Sequence, residues 1–123
     1  MKFTIPLPPI TKKNHQLIRR NFKTGKPFIS QSEHYRRYER DAGYFIPKGR
    51  TINTAVNVKC LFYMPTSRKV DLTNLLEATD DILVRYGLIE DDNYRVIQSH
   101  DGSRVFIDRE NPRTEIEITE VKI

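Results

Sequence analysis

Cysteine is nearly absent from this chain. Cys60 is the only one, so no intrachain disulfide can form, which suits a reducing cytoplasm. It falls within a strand-like stretch and reads as a buried, inert thiol rather than a nucleophile. No apolar run approaches the roughly 18 residues of a membrane-spanning helix, so no membrane span is expected. The opening Met1-Lys2-Phe3-Thr4-Ile5-Pro6-Leu7-Pro8-Pro9 lacks the apolar core of a secretory signal. Internal repeats, low-complexity tracts and interdomain linkers are also missing. His15, His34 and His100 have no metal-ligand spacing and read as surface or hydrogen-bonded residues. His100, near Arg104, is a candidate helper at a phosphate.

What is present suits one modest core. The chain has 123 residues, 37% hydrophobic and 30% charged, and reads as a single domain over residues 1–123. Its net charge is +5. Cations gather at Lys12, Lys13, Arg19, Arg20, Lys23 and Lys26, then at Arg36, Arg37 and Arg40, then at Arg68 and Lys69. Such a basic field favours a polyanionic partner such as nucleic acid, although ordinary surface solubility accounts for the charge equally well.

Residues 2–7 alternate as a short or edge strand, limited by Pro6, Pro8 and Pro9. Residues 15–20 and 27–30 read as a hairpin around Lys23-Thr24-Gly25-Lys26, a basic finger. A helix follows, capped by Ser30 or Ser32 and running to about Phe45. It has Tyr35, Tyr38, Ala42 and Phe45 on one side and Arg36, Arg37 and Arg40 over the rest. The aromatics read as core or dimer-interface residues. Residues 54–64 form a clear alternating strand closed by Pro65. Residues 94–99 and 104–108 are expected to pair as a hairpin around Asp101-Gly102. Residues 114–122 form a last strand. The fold class is α+β: one mixed sheet of about five or six strands, with two main helices packed mainly on one face.

Between strand and hairpin lies the stretch that organises the chain, residues 70–93. It reads as one amphipathic helix. Leu72, Leu75, Leu76, Thr79, Ile82, Leu83 and Tyr86 share a side; Thr73, Asn74, Glu77, Asp80 and Asp81 share the other. Asp71 stands at the N-cap and Gly87 at the stop. Glu90-Asp91-Asp92 follows at once. Gathered carboxylates repel unless something positive neutralises them, and a hard divalent cation does so through oxygen ligands. One ion shared by Asp71 and Asp92 requires the 88–93 segment to fold back, because about 15 helical residues span about 22 Å. The alternative readings are local. Asp71 is a natural cap, Glu77 and Asp81 can be solvated, Arg85 can pair with Asp81, and Asp91-Asp92-Asn93 can be a polar turn.

The pattern Asp71-Leu72-Thr73-Asn74-Leu75, a helix of about 15 residues, then Ile89-Glu90-Asp91-Asp92, resembles the RusA family of Holliday junction resolvases. The Pro8-Pro9-Ile10-Thr11-Lys12-Lys13-Asn14 loop, the strand up to Met64-Pro65 with its basic loop, and Glu115-Ile116-Glu117-Ile118 are similar to the family's other segments. The resemblance implies a homodimeric endodeoxyribonuclease of bacteria and their phages or prophages, dependent on Mg²⁺ or Mn²⁺. Such enzymes bind four-way DNA junctions and cut two strands symmetrically. It implies metal ligation by Asp71 and Asp92, with Asp91 beside them, and a site role for Asn74. Two positions depart from the pattern. Thr73 stands where the family has a second Asp, and Glu77 where it has Lys. Glu77, one turn below Thr73, is a candidate for the missing carboxylate, and Arg104, Lys69 or Arg68 for the missing cation. Otherwise the chain is a weakened or inactive junction binder, or a nuclease for flaps and other branches. Lys12, Lys13, Arg19, Arg20, Arg36, Arg37, Arg68, Lys69 and Arg104 are the candidate DNA contacts.

Overall fold

The longest alternating stretch makes the central strand. Val56, Val58, Cys60 and Phe62 are buried while the residues between them are half-exposed, so one face of this strand is core and the other faces solvent. In the computed structural model, which describes residues 1–12, 16–20, 23–31 and 33–122, the strands are β1 (Lys2–Ile5), β2 (Gln16–Arg20), β3 (Pro27–Gln31), β4 (Val56–Met64), β5 (Ile97–Ser99), β6 (Arg104–Ile107) and β7 (Arg113–Glu120). The helices are α1 (Glu33–Ala42), continued by a 3₁₀ turn over Gly43–Phe45, and α2 (Leu72–Arg85). β1, β7 and β4 lie side by side and antiparallel. β5 and β6 both run parallel to β4 along its other edge. β2 and β3 form a separate antiparallel hairpin, as the basic turn between them suggests. The mixed sheet and two helices make an α+β fold.

Both helices cover the same face. Tyr35, Tyr38 and Ala42 of α1 and Leu75, Ala78, Ile82 and Leu83 of α2 share one core with Ile5, Val56, Val58, Cys60, Phe62, Ile116 and Ile118 of the sheet. Phe45 does not join them. It is 41% exposed, and Ile46 is buried in its place. α2 opens on Asp71, whose carbonyl accepts the Leu75 N–H. It closes at Gly87, whose φ of 79° only glycine adopts without strain. There the Leu88 N–H returns to the Leu83 carbonyl and the Gly87 N–H to that of Val84, with Leu83 and Leu88 both buried. That pairing is a Schellman stop, and it turns the acidic segment back from the helix end.

Two expectations fail here for physical reasons. The segments 94–99 and 104–108 do not pair with each other; β5 and β6 are successive pieces along one edge of β4. A two-residue type I′ hairpin needs positive φ at both central residues. Here Gly102 alone has it, at 86°, and Asp101 does not. Instead the Ser103 N–H closes a β-turn on the His100 carbonyl, and the chain advances five residues from Ser99 to Arg104 while β4 advances four from Asn57 to Leu61, a bulge within a continuing direction. Side chains replace the missing ladder bonds. The Cys60 N–H donates to Ser103 Oγ at 3.0 Å, His100 Nδ1 meets the Val58 carbonyl at 2.8 Å, and Asn57 Oδ1 accepts from Ser99 Oγ and the Asp101 N–H. Secondly, α2 does not divide its faces as its sequence suggests. Leu72 is 36% exposed, whereas Asp80 is buried. Asp80 stands four residues after Leu76, about 40° around the helix, so it borders the apolar face and the bulge covers it.

One close packing in the core has a direct test. A Cβ added at the buried Gly43 would lie 2.3 Å from the Tyr86 ring, whose hydroxyl donates to the Glu39 carbonyl. Gly43→Ala is expected to cost about 1–3 kcal/mol of unfolding free energy in urea titration. Shortening the ring in Gly43→Ala/Tyr86→Leu should recover part of that loss.

Candidate functional site

The motif residues occupy three places on and around α2. At its start, the Asp71 carboxylate makes no side-chain cap bond; it accepts from Asn74 Nδ2 at 3.2 Å. Asp71 and Thr73 are exposed, as is Glu77 one turn on. The Asn74 amide thus fixes the orientation of a carboxylate that otherwise faces solvent.

Beyond the helix, Asp91 is taken up by its own turn. Its carboxylate accepts the Asp92 N–H at 2.7 Å and Asn93 Nδ2 at 2.9 Å. These bonds, the backbone one foremost, hold it below the ordinary carboxylate range. Asp92 is shifted the other way, by desolvation first, then by Asp91 and the negative charge of Asp81. Asp92 thus feels the charge of Asp81, in the second half of α2, and Asp80 feels that of Asp92. From Asp71 to Asp81 the helix advances about 15 Å. Among the described residues, no three of His, Cys, Asp and Glu converge as a metal-binding group.

The third place is the one the sequence conceals. The bulge aims His100 at α2, where Nε2 lies 2.8 Å from Asp80 Oδ2, with the two side chains 23% and 12% exposed. The proton count follows from the partners. A carbonyl only accepts, so Nδ1 donates to Val58. Nε2 and Asp80 then share one further proton, since an ionised carboxylate facing a bare ring nitrogen would oppose two lone pairs. Burial foremost pushes Asp80 up, with Asp92 and Asp81 adding to the rise and the His100 hydrogen bond opposing it. Burial alone would lower His100; the hydrogen bond and charge of Asp80 reverse that and raise it. Asp80 Oδ1 is buried without a hydrogen-bond partner among the described residues. Neither residue has a motif signature. The available signals were an acid bordering an apolar stripe and a histidine preceding a Gly-containing turn.

The candidate cations also separate. Lys12 is engaged with Asp81 and lies 5.9 Å from the centre of the Tyr35 ring. Asp81 is thereby paired with Lys12, and Arg85, the partner its helical spacing suggests, pairs with Glu39 instead. Arg36 lies 3.9 Å from Glu33. Arg37, Arg68 and Lys69 are exposed and border one groove, while Arg104 is exposed at the start of β6. Lys13 lies outside the described residues, as does His15, and of Arg19 and Arg20 only the backbone, in β2, is described. Cys60 is fully buried; burial first, then Asp80, raises its thiol well above its ordinary value. No described helix is long and apolar enough to cross a membrane.

Acidic side chains on a central helix beside a cationic loop suit a protein that handles phosphodiesters. The chain belongs to the family described as Endodeoxyribonuclease RusA, which it matches over residues 6–119. No curated protein sequence matches it. It is therefore a member of an endodeoxyribonuclease family.

The His100–Asp80 pair gives a pH signature. Both pKa values are raised on folding, so the folded state binds the protons more tightly. The His100 stabilisation is fully present below the unfolded histidine value, about 6.5, and is lost as pH rises through the higher folded value. Asp80 acts in the same direction lower on the scale. Urea unfolding is expected to show stability falling as pH rises above about 6.5, a slope that His100→Asn flattens. Asp80→Asn should cost about 1–3 kcal/mol at acid pH.

Proposed function

We propose that this protein resolves four-way DNA junctions by paired, symmetric phosphodiester cleavage, as a homodimer dependent on Mg²⁺ or Mn²⁺. The observation that carries this reading is the family match over nearly the whole chain, joined to Asp71 and Asp92 at motif-matching positions. The donor chemistry suits a hard cation. The candidate ligands are all carboxylate oxygens, and Asp92 is raised by burial and by neighbouring negative charge, so a cation beside it would relieve repulsion. Asp71 and Asp92 are the residues that would hold such ions, with Asp91 adjacent to Asp92. Hard cations take one or two carboxylates and fill the remaining positions with water and phosphate oxygen, so the two need not share an ion. When bound, the cation supplies an activated water and screens the charge of the phosphate.

The protein's own residues do the rest. Asn74 holds the Asp71 carboxylate in one orientation. Arg68 and Lys69, three and two residues before Asp71, are exposed to draw in the backbone, and Arg37, Arg36 and Arg104 extend the field. Thr73 and Glu77 stand one turn apart on the exposed side of α2, and Glu77 is the proposed substitute carboxylate. Pairing two sites about a two-fold axis matches the pseudo-symmetry of a four-way junction. A second reading, a junction binder that no longer cuts, is favoured by the Thr73 and Glu77 departures and by the absence of a three-ligand group among the described residues.

Labelled four-way, flap and linear DNA incubated with Mg²⁺ or EDTA separates the readings. Symmetric nicks on the junction, abolished by EDTA, are expected. Retarded but uncut junction would establish the binder, and cleavage of flaps or linear DNA a different nuclease. Asp71→Asn and Asp92→Asn should each lower junction cleavage by about a hundredfold or more while leaving junction binding in EDTA largely intact. Glu77→Ala should lower cleavage as well; unchanged cleavage would mark Glu77 as a solvated helix residue.

A further inference from the structure

A groove opens where the loop before α2 meets the N-terminal loop, its lining reaching Val70, the residue before Asp71. Its volume is about 630 Å³. Its floor is apolar, with Leu7, Pro8, Pro9 and Ile10 from the N-terminal loop facing Met64, Pro65 and Val70 around the end of β4. Its rim is cationic, carrying Arg37 from α1 and Arg68 and Lys69 from the loop before α2. The acid on its wall, Asp41, lies 3.5 Å from Arg40.

Duplex DNA cannot fill such a groove. Its outer surface is convex and presents phosphates, which suit the rim and not the floor. An unstacked nucleotide has both parts the groove asks for: an apolar base face to bury and a phosphate on either side to meet the cations. Branch points are where paired DNA gives up stacking most cheaply. We propose that this groove is a binding slot for an unpaired nucleotide at the branch point, lined by the Arg68–Val70 segment that leads into Asp71. The proposal rests on the reading that the protein acts on branched DNA, and it names the part of that substrate recognised apart from the cut phosphate.

The test uses the full chain in EDTA, so that no cleavage intervenes. A short thymidine oligonucleotide is titrated into isotopically labelled protein, and methyl resonances are followed. The expected shifts concentrate on Leu7, Ile10, Met64 and Val70. Ile10→Trp, which fills the slot, should weaken oligonucleotide binding by about fivefold or more while linear duplex binding stays within about twofold. Thr66→Trp, placed on an exposed wall residue, should act alike and guards against a folding defect at Ile10. Shifts centred on another surface overturn the slot. So does an unmodified protein that retards four-way junctions yet binds no oligonucleotide, which leaves the junction reading standing. Failure to bind either DNA overturns both. Shifts of the same methyls on raising protein concentration without DNA would show that a second copy occupies the groove, and would also overturn the proposal.

Discussion

The contact on which the middle of this molecule depends is the hydrogen-bonded line from the Val58 carbonyl through His100 to Asp80. It joins the central strand to the central helix across a sheet edge that would otherwise have a gap. β5 stops at Ser99 and β6 begins at Arg104, and side chains bridge the interval. A polar line inside a core is expensive unless its members satisfy one another. Here one proton is shared, the ring is fixed at both nitrogens, and α2 is held at its third turn.

This arrangement also explains how opposite charges coexist on a small surface. Asp81 is neutralised by Lys12, Glu39 by Arg85 and Asp91 by its own turn. Asp92 and Asp71 keep carboxylates without a cation beside them in any ion pair found among the described residues. The cations at Arg37, Arg68 and Lys69 stand together around the groove.

Much of this was legible from residue order. β4 follows from strict alternation, the β2–β3 hairpin from its basic turn, and the limits of α2 from Asp71 and Gly87. The family resemblance rested on local motifs, and local motifs survive in sequence. What was hidden depends on tertiary cover. Asp80 borders an apolar stripe, and only the bulge above it decides that it is buried. Asp101-Gly102 looks like a hairpin tip because the residue types fit; the backbone sign at Asp101 decides otherwise. Lys12 and Asp81 are distant in sequence, so nothing local could pair them. The groove likewise assembles from three separated segments, none of which is distinctive alone.

The placement of β1 has a consequence for how the chain reaches this state. Residues Lys2 to Ile5 pair only with Thr114 to Glu117, and the amino group of Met1 donates to the Ile118 carbonyl. β1 therefore has no sheet partner until β7 has been made, and closing that edge brings together residues more than a hundred positions apart, a loop closure that local helix formation cannot hasten.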